Sequence, residues 1–324
     1  MNGTLITNSS NTYPYRAYLD NLLSYGPTAK YSKLTCELFY EDEPGKMDKP
    51  NPLEVNVADN NKGLAAVTAR SRRWTSVGRI QADIFFQNRY MLDEVNIKIK
   101  LTRSKDSFCL IAVGAQAFKV KITSAASPAR KVKISPSVYL AHAKTLESGM
   151  ANYPIRRVVC KTFTVPAGHL DVSQEELFSG KLPTRLILGC VDNRAFNGDL
   201  GRNPFHFQFL SLRTLSVYLD GQQIGMKPIA MNYTNNQNVT SYMSLFNGVG
   251  KDNRDEGNDI AKEEYANRYA LYAFDLSQDL TDSGSFSLAR QVTIRVDLTF
   301  GEEFANTIST VAYASKQAYS IKTT

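Results

Sequence analysis

The chain has 324 residues, enough for one large β domain or for two domains of roughly 150 residues each. Its hydrophobic fraction of 43% is enough for a real core, and its 17 Tyr and 16 Phe favour strands. No run of about 18 apolar residues is present, which excludes a transmembrane helix. The net charge of +7 would suit a polyanionic partner, but over this length solubility is the simpler explanation.

The N-terminal segment, residues 1–28, predicts a flexible tail followed by a short helix. Residues 1–12 are small and polar, and without a basic patch before an apolar core they do not predict a secretory signal. Apolar residues then recur at helical spacing up to Gly26-Pro27: Tyr15, Tyr18, Leu19, Leu22 and Leu23. This amphipathic helix is expected either to close one end of the sheet structure or to dock on a neighbouring subunit.

Strand patterns dominate residues 29–150. The clearest lies between Arg79 and Leu110, where four apolar residues alternate with polar ones and would share one sheet face: Val95, Ile97, Ile99 and Leu101. A second alternating run, Ile80–Phe86, precedes it after a short connection, so the two predict an antiparallel hairpin. Further strands are predicted at Leu34–Tyr40, Phe108–Val113, Phe118–Ile122 and Val132–Leu140, the last restricted to an edge or bulge by Pro136. The polar stretch Glu41–Thr68 predicts a long loop.

A linker is predicted at Ala143–Tyr153, and the strand pattern restarts after it. The predicted strands are Arg156–Val165, Arg185–Val191 (buried on both faces), Phe205–Phe209, Leu215–Leu219, Tyr269–Leu276, Gln291–Phe300 and Thr307–Ala314. Ser173-Gln-Glu-Glu176 has capping-box form and predicts one short helix. The stretch Gln222–Tyr265 lacks strand character and predicts a long functional loop or an excursion that packs elsewhere.

These patterns predict an all-β fold class. Roughly five to seven strands lie on each side of a break near residue 150, and the few short helices exclude parallel βαβ units. We therefore expect two tandem antiparallel sandwiches, at residues 29–150 and 151–324, with the loop 222–265 in the second.

The sequence predicts no catalytic, cofactor or metal site. It lacks the phosphate-binding G-x-x-x-x-G-K-[ST] and the hydrolase motifs G-x-S-x-G and H-E-x-x-H. The three histidines, His142, His169 and His206, have no carboxylate or cysteine at ligand spacing. The four dispersed cysteines are expected to be reduced and buried, which favours synthesis inside the cell: Cys36, Cys109, Cys160 and Cys190. A Cys-His pair formed only in space remains a minor alternative.

Two charged groups are candidates for inter-strand or inter-subunit contacts. Arg103, Lys105 and Asp106 follow the clearest strand. Asp255, Glu256 and Asp259 belong to an acidic stretch that a solvated loop explains best. The open alternatives for this stretch are a divalent cation site and a surface complementary to the basic first half of another copy. Non-specific phosphate contact by those basic residues also stays open.

Five long blocks resemble, in this order, the major capsid proteins of Polinton/Maverick elements and the related adintoviruses: TYPYRAYLDNLLSYGPTAK, DEVNIKIKLTRSKDSFCL, VKISPSVYLAHAKTL, AFNGDLGRNPFHFQ and LYAFDLSQDL. The resemblance runs from about Tyr13 to Ala314, almost the whole chain. Long blocks in a fixed order are more specific than any single short motif. The chain is compact beside longer members of that family.

The resemblance implies a double jelly-roll fold with a few short helices, and no enzymatic activity. It implies a structural capsid protein: three subunits would form a pseudo-hexagonal capsomer, and capsomers would tile an icosahedral shell. The expected partners are further copies of the chain, a minor penton protein and packaged DNA through non-specific contacts. The expected location is the virion, after synthesis in the cytoplasm or nucleus of a host cell. The alternatives are a penton-like minor capsid protein and a glycan- or receptor-binding β-sandwich, with an enzyme last.

Overall fold

The chain is mostly β-sheet, in two antiparallel sheets, with a few helices. The computed structural model describes residues 5–7, 10–42, 44–49, 73–93, 95–112, 118–225, 227–233, 235, 237–277 and 290–323. The strands are β1 (Ala151–Val165), β2 (Asp171–Lys181), β3 (Pro183–Asp192), β4 (Leu212–Leu219), β5 (Gln222–Gln223), β6 (Ile229–Ala230), β7 (Leu271–Asp275), β8 (Gln291–Phe300) and β9 (Ile308–Thr323).

The strands form two sheets whose members alternate along the chain. The first sheet has the order β1-β9-β3-β7, and the second has the order β2-β8-β4-β5, with β6 also paired to β4. All of these pairings are antiparallel. The chain therefore crosses from one sheet to the other at each long connection, and the strands β1 and β9, distant in sequence, lie side by side.

Alternation along the strands produces two cores. Leu186 and Leu188 of β3 face the second sheet and pack with residues such as Ile294 of β8, whereas Ile187 faces the opposite way. The first sheet is thus covered on both faces, which explains why β3 is buried almost throughout, as its sequence predicts. In β8 the predicted alternation is also confirmed, since Val292, Ile294, Val296, Leu298 and Phe300 are buried.

Several of the helices cover the outer face of the first sheet. The helices are α1 (Tyr13–Ser24), α2 (Pro27–Lys30), α3 (Asp106–Cys109), α4 (Pro136–Ser148), α5 (Asn193–Asn197), α6 (Val239–Asn247) and α7 (Lys262–Arg268), with 3-10 helices at Lys33–Glu37 and Asp83–Phe86. The N-terminal helix predicted from its apolar spacing is present as α1, and Tyr15, Leu19 and Leu22 are its buried face. Among the described residues no helix is long and apolar enough to cross a membrane.

The predicted strands before residue 150 are wrong wherever the structure describes them. The runs Leu34–Tyr40 and Ile80–Phe86 contain the two 3-10 helices, and residues 95–102 and 118–122 lie outside any strand, so no hairpin forms. A short alternating run forms a strand only if another strand is available to pair with it. None of the described residues in this half supplies such a strand. The expected loop Glu41–Thr68 lies mostly outside the described residues.

Other corrections have local causes. Val132–Leu140 is not an edge strand, because Pro136 occupies the first turn of α4, where its missing N–H costs nothing. The helix expected at Ser173–Glu176 is part of β2, which pairs with β8 across a register shift between Gln174 and Phe178. Residues 205–209 form only isolated bridges. The stretch 222–265 is no simple loop, since it holds β5, β6 and α6 and reaches into α7.

Candidate assembly interface

An aromatic cluster fixes α1 to its own chain. The Tyr15 ring lies 5.6 Å from the rings of Phe196 and Phe205, and the Tyr18 ring stacks on Phe205 at 4.2 Å. The Tyr18 hydroxyl also shares a 2.7 Å hydrogen bond with the Tyr269 hydroxyl at the end of α7. The helix is therefore a packing element of its own subunit, but it lies on a face of the first sheet and does not close one end of it.

Buried ion pairs join the N-terminal segment to the helices on the same face. Glu41 accepts hydrogen bonds from Arg268 Nη2 and from Lys30 Nζ, each at 2.6 Å, and all three side chains are at most 8% exposed. Lys30 also donates to the Asn258 carbonyl at 2.6 Å, and Arg268 contacts Glu264 at 2.9 Å. Burial lowers the pKa of Lys30, although Glu41 opposes the shift. A single carboxylate thus holds two segments of the chain together.

A second buried pair ties α1 to β1. Arg16 donates to Asp83 in the 3-10 helix, and Asp83 also accepts from the Val158 amide at 3.2 Å. The nearby Asp20 accepts from the Tyr313 hydroxyl at 2.6 Å, and burial raises the pKa of that carboxyl. The sequence gives little sign of these partners because they are far apart in the chain. Two pairs have a local signature, since Glu264 and Arg268 on α7, and Arg16 and Asp20 on α1, are each four residues apart.

Of the predicted contact residues, Arg103 and Asp106 are brought together. Arg103 forms a two-pronged ion pair with Asp106, at 2.6 and 3.2 Å. Both side chains also bond the backbone of Val120, Arg103 to its carbonyl oxygen and Asp106 to its amide. The pair with Arg103 and the amide of Val120 lower the pKa of the half-buried Asp106 carboxyl. Lys105 precedes α3 as its N-terminal flanking residue and takes no part in this ion pair.

The acidic candidates lie on a different surface. Asp255 and Glu256 are exposed, whereas Asp259 is half-buried with a left-handed backbone φ of 56°. Burial and the Asp259 carboxylate raise the pKa of Tyr31. Within the described part of the chain, no ion pair joins these residues to Arg103, Lys105 or Asp106, and no group of three or more His, Cys, Asp or Glu is placed to hold a metal ion. Any contact between the two groups would therefore have to form between copies.

Residues 118–150, here called the arm, contact little of the subunit. Every residue from Lys121 to Met150 is exposed, and α4 has no buried residue. Large apolar side chains of the arm are at least 41% exposed: Phe118, Ile122, Val132, Ile134, Val138, Tyr139, Leu140, Leu146 and Met150. The hydrogen bonds of the Val120 backbone with Arg103 and Asp106 join the arm to the rest of the chain, and the arm leads directly into β1. It also carries six Lys or Arg and one Glu, so most of the net +7 of the chain lies there.

Such a surface is unfavourable in water unless it is covered. A helix of 13 residues is marginal on its own, and most helical stability in proteins comes from packing an apolar face. Contiguous exposed apolar area mainly marks sites of interaction. Among the described residues, the arm is therefore the surface where a partner would cover the longest run of exposed apolar side chains.

The described residues offer little for catalysis. His206 Nδ1 lies 2.9 Å from Asp48 Oδ2, but no cysteine among the described residues hydrogen-bonds a histidine. Burial would raise the pKa of Asp48, but hydrogen bonds from His206 and the Asn203 amide lower it. Cys190 instead contacts Thr310 at 3.6 Å, and burial raises its pKa to about 11. The thiolate that a nucleophilic cysteine needs is therefore disfavoured here.

Comparisons with known proteins give distant similarities. No family model matches the chain. It is 28% identical over 309 residues to the uncharacterized protein F54H12.2 of Caenorhabditis elegans. That alignment covers 94% of this chain and 71% of the other protein. The capsid of PBCV-1 virus aligns at 11% identity and a TM-score of 0.34, over 56% of this chain and 52% of the other. A structure of Sulfolobus Turreted Icosahedral Virus aligns at 13% identity and a TM-score of 0.26, over 51% and 39%. The chain thus spans about half or less of these solved chains.

Proposed function

We propose that the protein is a structural subunit of a viral shell that assembles with copies of itself and has no enzymatic activity. The observation that carries the proposal is the arm, a long apolar and basic surface left uncovered by its own subunit. The sandwich behind it supplies a rigid body, because its two sheets and the helical layer bury both faces of the first sheet. A rigid body with uncovered apolar surface can be held in place by contacts with further copies.

The strand order supports a jelly-roll reading of residues 151–324. Its long strands alternate between two facing antiparallel sheets. A jelly roll has this arrangement, and many capsid proteins share that fold. We further propose that residues 29–150 complete a second jelly roll only in the assembled shell. The alternating residues Ile97, Ile99 and Leu101 support this, since they are exposed in the single chain and would be buried on one face of a strand.

The finer assignment is to a major capsid protein of the Polinton/Maverick and adintovirus type, and it rests on the five sequence blocks. On this proposal the subunits form homotrimeric pseudo-hexagonal capsomers that tile an icosahedral virion, with a minor penton protein at its vertices. Basic residues of the first half of one copy, Lys105 among them, would face Asp255, Glu256 and Asp259 of another, because opposite charges orient association. Basic residues of the arm would contact packaged DNA without sequence preference. The chain would be made inside the host cell.

One observation favours a second candidate, a penton-like minor capsid protein with a single jelly roll. Among the described residues the only sheets lie between residues 151 and 323, so one sandwich is formed. The two candidates differ in symmetry. A trimer has three times the subunit mass of 36.1 kDa, about 108 kDa, and a pentamer has five times the subunit mass, about 180 kDa.

The test is a pair of substitutions in the arm, Ile134→Ser and Leu140→Ser, whose side chains are 43% and 67% exposed. We expect the wild-type chain to form oligomers in analytical ultracentrifugation and the double variant to remain a monomer with unchanged thermal unfolding. Leu170→Ser is the matched control, because Leu170 is 40% exposed on the sandwich and outside the arm. A double variant that assembles like the wild type, or a wild-type chain that stays monomeric, would contradict the proposal.

A further inference from the structure

A cleft of about 760 Å³ lies between α1, residues 81–89, the strands of the first sheet and the turn after α6. Six cationic residues line it: Arg16, Arg89, Arg156, Arg185, Lys251 and Arg254. Asp20 is the one carboxylate among the described lining residues, and it already contacts Tyr313 and Arg16. The cleft therefore carries a strong excess of positive charge.

Part of this charge is balanced within the subunit. Arg16 contacts Asp83 and Asp20, and Arg185 lies opposite Asp275 in the pairing of β3 with β7. Lys251 is different: it is 8% exposed, and among the described residues its ammonium donates one long hydrogen bond, 3.3 Å to the Gly257 carbonyl. An ammonium has three donors, so most of its hydrogen-bonding capacity is unused.

The surroundings of Lys251 disfavour its charge. Burial lowers the pKa of Lys251, and the neighbouring Lys30 and Arg254 lower it further, although Glu256 opposes them. Arg89 donates to a neutral acceptor, the Asn152 carbonyl, at 2.9 Å, and Arg156 is exposed at the start of β1. A buried cation whose donors are mostly unpaired is costly, so an anionic ligand would find preformed, under-used donors here.

The remainder of the wall is apolar. Leu19, Leu23, Ile187 and Val249 line the cleft beside the cations. Small-molecule sites are of this size and combine apolar walls with a few convergent polar groups. Arginine forks and lysine ammonium groups are the usual protein ligands of phosphate.

We propose that this cleft binds a phosphate-bearing organic molecule of nucleotide size. Its phosphates would lie against Arg89, Arg156 and Lys251, and its apolar part would pack on Leu19 and Val249. All lining residues belong to one chain, so this binding does not depend on the proposed assembly. The same phosphate chemistry could come from a free nucleotide or from the backbone of a nucleic acid, and we commit to the free molecule.

The test is isothermal titration of the full-length chain with ATP in phosphate-free buffer, repeated with inorganic phosphate and with a short duplex DNA. We expect one ATP per chain, weaker binding of phosphate alone, and a loss of about tenfold or more in ATP affinity for Arg156→Gln and for Lys251→Gln. Arg156→Gln alters an exposed residue, so it keeps the test valid if Lys251→Gln fails to fold. The matched control is Arg213→Gln, exposed on β4 outside the cleft, which should bind as the wild type does.

Three results would overturn the proposal. One is the absence of ATP binding at millimolar concentration. Another is an equal loss of affinity in Arg213→Gln and Arg156→Gln, which would mean general charge attraction. The third is that duplex DNA binds the wild type and binds both cleft variants more weakly, while ATP does not bind at all. That result would assign the cleft to nucleic acid.

Discussion

Glu41→Gln tests how the N-terminal segment is held to the sandwich. The substitution keeps the size of the side chain and removes the charge that Arg268 and Lys30 share at 2.6 Å each. It leaves two cations buried, with side chains that are 7% and 1% exposed. Their desolvation is then compensated less well than in the wild type.

The expected cost follows from the remaining partners. Removing one member of a buried ion pair typically costs about 3–5 kcal/mol. Arg268 keeps Glu264 at 2.9 Å, and Lys30 keeps the Asn258 carbonyl at 2.6 Å, so both cations retain one acceptor. We therefore expect a loss near the lower end of that range, about 3 kcal/mol in the free energy of unfolding.

The assay is urea unfolding of the unassembled chain followed by tryptophan fluorescence and circular dichroism. The matched control is Glu175→Gln on β2, since the Glu175 side chain is 75% exposed and lies 3.9 Å from Arg295. It should change the free energy of unfolding by less than about 0.5 kcal/mol. If Glu41→Gln shifts stability no more than the control does, the buried network does not hold the N-terminal segment as described.

Three further predictions concern packing, thiols and the arm. Gly189→Ala should cost about 1–3 kcal/mol in urea unfolding, because its Cβ would lie 2.6 Å from the Phe207 ring, whereas Gly201→Ala should be tolerated; equal stability of the two would contradict this packing. Burial raises the pKa of Cys160 to about 12 and that of Cys190 to about 11, so neither should react with iodoacetamide at pH 8 in the native protein, as mass spectrometry of labelled peptides can show. Trypsin should cut the arm in the monomer and not after assembly. Equal cleavage in both states would mean that the arm is not part of the assembly interface.

Strands are predicted correctly where they are long and lie inside a sheet. The alternation in Gln291–Phe300 and the continuous apolar run in Arg185–Val191 each correspond to a strand of the structure, because both lie inside a sheet that buries them. The same alternation in residues 95–101 gives no strand in the single chain. Periodicity specifies which side chains could share a face, but the free energy of a strand comes from the neighbour that it pairs with.

The charged contacts could be predicted only in part. The pair Arg103 and Asp106 is local, three residues apart, and its sequence spacing is informative. Glu41 and Arg268 meet across 227 residues, and the cationic cleft gathers side chains from several separate segments. These side-chain clusters form because the topology brings distant segments onto one face of a sheet. The spacing of residues along the chain therefore does not predict them. The uncovered arm likewise becomes visible only when the burial of each residue is known.

The central proposal is self-assembly, and the mass of the purified full-length chain tests it most directly. Mass photometry over a range of concentrations, followed by negative-stain microscopy, should show trimers of about 108 kDa, three times 36.1 kDa, or closed shells built from them. Pentamers would instead support the penton-like candidate. A chain that remains a 36.1 kDa monomer at every concentration, with its arm uncovered, would contradict the account.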